Sequence, residues 1–411
     1  MELLDFSVPH TNVSTDFSAL RCPAHYTNIR NIAVRLIAYA IFAVPLAAQI
    51  LLEPGTQPGR IMPSRFVQVW DDHKAPILRC RVDRVPPRLS FSFKYWSGFE
   101  VTLPATEVAG PAGNRLVTAF RVRPRIPEAK WTYFFQESTL PEVPPGKKVD
   151  LWYGGGFFAG VGKYEVDWML VERDGKVCRK SWTFSANPTR NVEMAAPPNT
   201  VSSVRLEDWA GFKATPEVKR EVTVLLHAAP VARRRYVTKL SPWDRTILLT
   251  SLKSVLDQVR VTRARVVVFD IDGRRELFRS ADFRPRDYRR LFGILERADF
   301  GTIDYSTLAT GPPAGEFLFS IVEKEIAAAP GQPVIFLGPE MRPSNARLPE
   351  RQAEVKVDAG KIFYLCFPLT VSDPEDLIAK IVKGKGKSFR LFYPQDLASA
   401  IRQVNQRLGE P

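Results

Sequence analysis

The sequence feature that most constrains the fold is an apolar run, residues 266–269, which ends in Asp270-Ile271-Asp272-Gly273 and leads into a second strand-like run, residues 275–278. Asp followed by Gly between two such runs predicts a two-residue type I′ hairpin, because both residues tolerate positive φ angles. Asp270 then ends a strand and Asp272 lies in the turn. We therefore expect an antiparallel hairpin inside the C-terminal half.

The same four residues also fit an enzymatic alternative. Asp270-Ile271-Asp272-Gly273 resembles the Asp-x-Asp-Gly-Thr loop of the haloacid dehalogenase family, with Arg274 in place of the threonine. The resemblance implies a magnesium-dependent phosphohydrolase, with Asp270 as nucleophile and Asp272 as the acid that protonates the leaving group. That family also needs a later lysine and an acidic pair at strand ends. Here the later strand-like runs end in Gly338-Pro339 and Phe367-Pro368, so the hairpin is favoured.

Length and charge set wider bounds. A chain of 411 residues exceeds one domain of about 100–200 residues, which predicts two folded units. The net charge of +14 permits contact with an anionic polymer, because summed charge concentrates anions at the surface. The tight basic runs, at 233–235 and 383–387, lack the interleaved aromatic residues of a nucleic-acid groove, so no specific nucleic acid is predicted.

The N-terminal segment has the layout of an export signal. Residues 1–48 are interpreted as a leader whose signal peptide spans about 30–48, with Arg30 and Arg35 before an apolar core and a small-residue end. We expect a periplasmic or secreted protein; an uncleaved membrane anchor is the minority alternative. Residues 49–74, rich in Pro and Gly, are predicted to be a linker.

Residues 75–186 alternate apolar and polar positions with period two, which predicts an all-β, immunoglobulin-like sandwich. Cys80 and Cys178 both fall on the apolar phase of such strands. In an exported chain they are candidates for a disulfide, worth about 4–5 kcal/mol in the chain-entropy model. Two buried free thiols are the alternative.

A glycine-rich stretch in this region imitates a cofactor motif. Residues 154–159 formally fit the Gly-x-Gly-x-x-Ala pattern of dinucleotide-binding loops. Such a loop must open a helix, yet the next patterned segment, from Tyr164, alternates like a strand. The glycines are therefore interpreted as a hairpin bend, and no cofactor is expected.

Beyond a second linker at 187–218, residues 219–408 alternate apolar strands with amphipathic helices. Ser241-Pro242-Trp243-Asp244 has the cap, proline and acid that begin a helix. The pattern predicts a doubly wound, Rossmann-like α/β domain with helices on both faces of a mostly parallel sheet.

The order of these predicted elements resembles a von Willebrand factor A domain: strand, helix, hairpin, two helices, then strand, strand, helix, strand, helix. That family carries Asp-x-Ser-x-Ser after its first strand, where it binds a metal ion. The corresponding positions here are His227, Ala229 and Val231, and no aspartate follows the fourth strand, which ends in Gly338-Pro339. The resemblance thus implies a degenerate, metal-free adhesion site in a non-catalytic exported protein that binds a protein or cell-envelope partner.

Overall fold

The structure is a computed structural model. It describes residues 50–52, 70, 74–108, 115–140, 149–172, 174–204, 209–212, 220–232, 239–300, 312–341, 361–369 and 376–409. The predicted leader at 1–48 and the basic run at 233–235 lie outside the described residues. The chain is a sheet-rich fold of more than one unit. No helix within the described ranges is long and apolar enough to cross a membrane.

The N-terminal part, called here the β unit, consists of two antiparallel sheets that share one core. Its strands are β1 (Ile50–Leu52), β2 (Arg81–Leu89), β3 (Tyr95–Pro104), β4 (Arg115–Pro124), β5 (Thr132–Thr139), β6 (Asp150–Ala159), β7 (Gly162–Glu172), β8 (Val177–Ala186) and β9 (Val201–Ser202). One sheet has the order β1-β5-β4-β7-β8 and the other β2-β3-β6-β9. The core between them is aromatic, with Phe99, Phe120 and Trp168 buried at its centre.

The C-terminal part, called here the α/β unit, is built on one six-stranded sheet. Its strands are β10 (Glu221–His227), β11 (Arg263–Asp270), β12 (Arg275–Ser280), β13 (Val334–Pro339), β14 (Ile362–Phe367) and β15 (Gly386–Arg390). Its helices are α1 (Pro242–Gln258), α2 (Pro285–Arg297), α3 (Ala314–Ala328), α4 (Leu377–Val382) and α5 (Pro394–Arg407). The strand order is β12-β11-β10-β13-β14-β15, and only β12 runs antiparallel to its neighbour.

Each face of this sheet has its own core. Val266 and Val268 pack in a cluster with α1, α2 and α5, whereas Val267 and Phe269 pack on the other face with α3 and α4. A strand covered on both faces must be apolar at every position. This explains why β11 reads as a continuous apolar run instead of an alternating one.

The hairpin after β11 differs in detail from the predicted type I′ turn. Asp270 pairs with Arg275, so the turn contains four residues, and the amide of Arg274 donates to O of Ile271 at 3.2 Å. The positive φ falls on Arg274, at 49°, not on Gly273. Gly273 serves the turn by its size, because a Cβ there would lie 2.4 Å from Oδ2 of Asp270.

The glycines at 154–156 are also placed differently from the prediction of a bend. All three lie inside β6 and pair with β3. A Cβ on Gly155 would lie 2.7 Å from the ring of Phe99, and one on Gly156 would lie 2.6 Å from the indole nitrogen of Trp96. These glycines therefore make room for aromatic side chains of the neighbouring strand, which is a recognised use of glycine within strands.

Parts of both predicted linkers are structured. Within 49–74, β1 pairs antiparallel with β5. Within 187–218, β9 adds to the edge of β6, and Trp209 is buried in the α/β core, where its indole donates to Asp257 at 2.8 Å. The Pro- and polar-rich composition of these segments gave no indication of β1, β9 or the buried Trp209.

Cys80 and Cys178 form a disulfide in the structure, with their Cα atoms 6.1 Å apart. It links the segment before β2 to β8, and so joins the two sheets. Cys366, in β14, is a buried free thiol.

The two units share a contact through the turn between β2 and β3. Phe93 in this turn has a φ of 54° and is fully buried within the core of the α/β unit. Beside it, O of Phe91 accepts a hydrogen bond from the Ser254 hydroxyl at 2.6 Å, and the Phe91 ring meets Phe367 edge to face at 5.3 Å. The β unit thus contributes an aromatic side chain to the core of its neighbour.

Candidate functional site at the carboxyl edge of the six-stranded sheet

The carboxyl edge of the six-stranded sheet is the candidate functional site. The strands β10, β11, β13, β14 and β15 are parallel, so their carboxyl ends meet at this edge. Ligands of open α/β sheets bind outside these strand ends. Every site residue predicted in this unit from the sequence lies at or just beyond the edge.

His227 ends β10 and faces the end of β13. It is 3% exposed, and its Nδ1 lies 3.0 Å from O of Pro339. Its ring stacks with Phe269 at 5.8 Å. A Cβ on Gly338 would lie 2.5 Å from O of His227, so only glycine permits this close approach of β13 to β10. The histidine is held between two strand ends by backbone contacts.

Ala229 and Val231 follow His227 and offer no side-chain ligand for a cation. The amide of Val231 donates to Oδ1 of Asp244 at 3.0 Å, and Oδ2 of Asp244 accepts from the amide and hydroxyl of Ser241 at 3.0 and 2.6 Å. The predicted cap of α1 is confirmed by this capping box. The fully buried Asp244 carboxylate therefore ties the chain after β10 to the start of the helix.

Asp270 and Asp272, the predicted alternative catalytic pair, have different surroundings. Asp270 is buried; its Oδ1 accepts from the Gly273 amide at 3.0 Å and its Oδ2 from Arg275 at 3.2 Å. Burial raises the pKa of Asp270, while the Gly273 amide, His227 and Arg275 oppose that rise. Asp272 is exposed at the tip of the turn. Asp270 thus stabilises the hairpin on which Asp272 is displayed.

A second polar cluster lies at the ends of β13 and β14 and was not predicted as a site. The Tyr364 hydroxyl lies 2.9 Å from Oδ2 of Asp376 and 3.3 Å from O of Pro339. Asp376 also accepts from the amides of Met341 and Ala379, at 2.9 and 2.7 Å. Asp376 is the N-cap of α4, but nothing local in the sequence links it to Tyr364, which is a strand residue twelve positions earlier.

The Tyr364 hydroxyl and the neighbouring Cys366 thiol are held in their protonated forms. Burial raises the pKa of Tyr364 well above its ordinary value, and Cys366 and Asp376 raise it further. Burial raises the pKa of the Cys366 thiol to about 12. A thiol acts as a nucleophile only as its thiolate, so Cys366 lacks that chemistry at neutral pH.

Large exposed hydrophobic side chains mark the solvent side of the edge. Trp243 lies in the first turn of α1, and Phe392 and Tyr393 lie between β15 and α5; they are 43%, 52% and 67% exposed. The guanidinium of Arg390 lies over the Phe392 ring at 4.8 Å. Exposed aromatic residues with a neighbouring arginine are the composition that protein interfaces favour.

Within the described ranges, no group of three or more His, Cys, Asp or Glu side chains has a geometry suited to holding a metal ion. The polar groups of the edge instead bind backbone amides and carbonyls and neighbouring side chains. The arrangement offers a hydrogen-bonded edge with an aromatic rim, the exposed side chains of Trp243, Phe392 and Tyr393.

No family model and no curated protein matches the chain. Among solved structures, the ApaA protein of Bordetella pertussis is 13% identical, with 28% of this chain and 98% of that chain covered, at a TM-score of 0.17. A β-glucosidase of saponin metabolism from intestinal bacteria is 16% identical, covering 26% of this chain and 16% of that one, at 0.16. The CupB6 tip adhesin of Pseudomonas aeruginosa is 14% identical, covering 40% and 64%, at 0.11. TM-scores this low assign neither a fold nor an activity to the chain.

Proposed function

We propose that this chain is a non-catalytic exported protein, in which an immunoglobulin-like sandwich is joined to a metal-free von Willebrand factor A-like domain, and that it binds a protein of the cell envelope. The observation that carries the proposal is that polar side chains at the carboxyl edge are engaged in hydrogen bonds within the protein. His227, Asp270 and Asp376 each bind the backbone or a neighbouring side chain.

The sheet order supports the doubly wound part of the proposal. β10, the first of these strands in the chain, lies inside the sheet, with β11 and β12 on one side and β13, β14 and β15 on the other. The direction in which strands are added therefore reverses once, and β12 is the antiparallel edge. Apolar clusters on both faces fit a sheet covered by helices on both sides. The shared aromatic core of the two N-terminal sheets supports a sandwich in the same way.

The proposed binding surface is the aromatic rim formed by Trp243, Phe392 and Tyr393. Large aromatic side chains supply most of the binding energy at many protein interfaces. The rigid support beneath the rim reduces the entropy that binding must overcome.

The test compares capture of a purified partner by two variants. A partner is first identified by cross-linking the exported protein in intact cells, and its affinity is then measured for Phe392→Ser/Tyr393→Ser and for a control, Trp152→Ser. Trp152 is 43% exposed but lies in β6 of the β unit. We expect the rim variant to lose at least about tenfold in affinity, as hot-spot residues do, and the control to keep wild-type affinity. Equal binding by all three proteins would contradict the proposed surface.

An assay separates this proposal from the phosphohydrolase alternative. Wild type and Asp270→Asn are incubated with an aryl phosphate and Mg²⁺. Wild-type turnover that disappears in the variant, while the circular dichroism spectrum of the variant is unchanged, would overturn the non-catalytic proposal.

A further inference from the structure

Helix α2 presents a face of arginine to solvent. Arg286, Arg289, Arg290 and Arg297 are exposed, whereas Tyr288, Leu291 and Leu295 on the opposite side are fully buried. At 3.6 residues per turn, Arg286, Arg290 and Arg297 lie within an arc of about 40° and extend over about 16 Å. We call these four residues the arginine face.

No carboxylate of the described residues lies within ion-pair distance of the arginine face. The acids on or beside α2 have other partners. Glu296 pairs with Arg245 at 3.8 Å, and Asp282 pairs with Arg284 at 2.7 Å. Asp287 caps the helix by accepting from the amide of Arg284 at 3.0 Å. The positive charge of this face therefore has no carboxylate partner among the residues that the structure describes.

Gly293 lies in the middle of the arginine face. A Cβ there would lie 3.3 Å from a terminal nitrogen of the Arg297 guanidinium, so this guanidinium lies close over the bare backbone. A glycine inside a helix costs about 0.5–1 kcal/mol relative to alanine. Here the absent side chain leaves room for the Arg297 guanidinium beside the helix backbone.

We propose that the arginine face binds the phosphate groups of an anionic phospholipid surface. Guanidinium groups form paired hydrogen bonds with phosphate oxygens and are the residues most suited to phosphate recognition. The ring that lies against this face, that of Phe278 at 5.9 Å from the Arg290 guanidinium, is buried and is therefore not available to stack on a base. Nucleic-acid surfaces normally combine positive charge with accessible stacking aromatic residues. A planar array of phosphates can contact the whole row at once. This proposal is independent of the partner proposed for the aromatic rim.

The test measures binding to vesicles of phosphatidylcholine with phosphatidylglycerol, against vesicles of phosphatidylcholine alone. We expect wild type to bind only the anionic vesicles and to dissociate as salt is added. The variant Arg286→Gln/Arg290→Gln/Arg297→Gln should bind roughly 100-fold more weakly, because each of the three basic residues near such a surface contributes about fivefold.

The matched control is Lys130→Gln/Lys180→Gln/Arg190→Gln, which removes the same charge from exposed positions of the β unit. It should keep wild-type binding. An equal loss in both variants would mean that net charge alone attracts the vesicles, and absence of wild-type binding would overturn the proposal directly. Tighter binding of duplex DNA than of vesicles, lost in the α2 variant, would replace the lipid surface by nucleic acid.

Discussion

The backbone carbonyl of Phe91, in the β unit, accepts a 2.6 Å hydrogen bond from the hydroxyl of Ser254, in helix α1 of the α/β unit. Two residues later, Phe93 enters the second core. Gln258 and Arg402 add hydrogen bonds to O of Glu193 and Asn191. Contacts of this kind couple the stabilities of the two units.

Replacement of Phe93 by alanine should destabilise the protein by about 3–5 kcal/mol, the usual cost of truncating a buried phenylalanine. Because this side chain fills the core of the α/β unit from the β unit, we expect the transitions of both units to shift. Urea unfolding followed by tryptophan fluorescence measures the effect. Ile126→Ala, at a site that is 48% exposed, is the control and should change stability by less than about 0.5 kcal/mol. An unchanged α/β transition in Phe93→Ala would contradict the coupling.

Removal of the disulfide should lower stability by about 4–5 kcal/mol in the chain-entropy model, because Cys80 and Cys178 are separated by 98 residues. Cys80→Ala/Cys178→Ala and wild type are compared by thermal unfolding with and without reductant. Reductant should lower the midpoint of wild type only. A similar shift in the double variant would point to another cause, such as an effect at Cys366.

The buried Glu325 on α3 should contribute more to the free energy of unfolding than an exposed acid does. Its side chain is 1% exposed and pairs with Arg265 at 3.2 Å and with Arg279. Removing Glu325 leaves the charge of Arg265 without this partner, while Arg279 keeps its pair with Glu276. Breaking such a buried pair should cost about 3–5 kcal/mol in Glu325→Ala. Glu137→Ala breaks an exposed pair with Arg115 and should cost at most about 1 kcal/mol. Equal effects in the free energy of unfolding would refute the ranking.

The raised pKa of Asp270 predicts an unusual pH dependence. Since burial raises this pKa above its ordinary value of 3.8, the folded state binds the proton more readily than the unfolded chain. Its stabilising contribution is therefore present at low pH and is lost as the pH rises from 3.8 through the folded pKa. Asp270→Asn removes this dependence. Urea unfolding of both proteins across a pH series should show wild type losing stability relative to the variant; the opposite slope would rule the assignment out.

Local signals in the sequence predicted local structure well. The cap of α1 was readable because Ser241 and Asp244 act within one helical turn. The hairpin after β11 was predicted for the same reason, but the number of residues in its turn was not. The turn has four residues, and the Asp270 carboxylate lies against Gly273 within it. The buried position of this carboxylate cannot be read from the sequence.

Long-range contacts account for what the sequence did not reveal. The glycines of β6 are required by Phe99 and Trp96 on another strand, and Tyr364 meets Asp376 only after β14 and α4 are assembled. Trp209 lies in a segment whose composition is typical of a linker, but its indole enters the α/β core. The residue pattern within a single segment cannot predict contacts with residues that are distant in the sequence.

The aromatic turn around Phe93 also limits how this architecture can be altered by evolution. A sandwich exchanged from another protein would leave an unfilled position in the α/β core unless it carried an aromatic residue in the same left-handed turn. An α/β unit expressed alone would expose that position to water and invite self-association. The two units are therefore expected to be inherited as a pair, and substitutions in the turn should covary with those in the core that receives it.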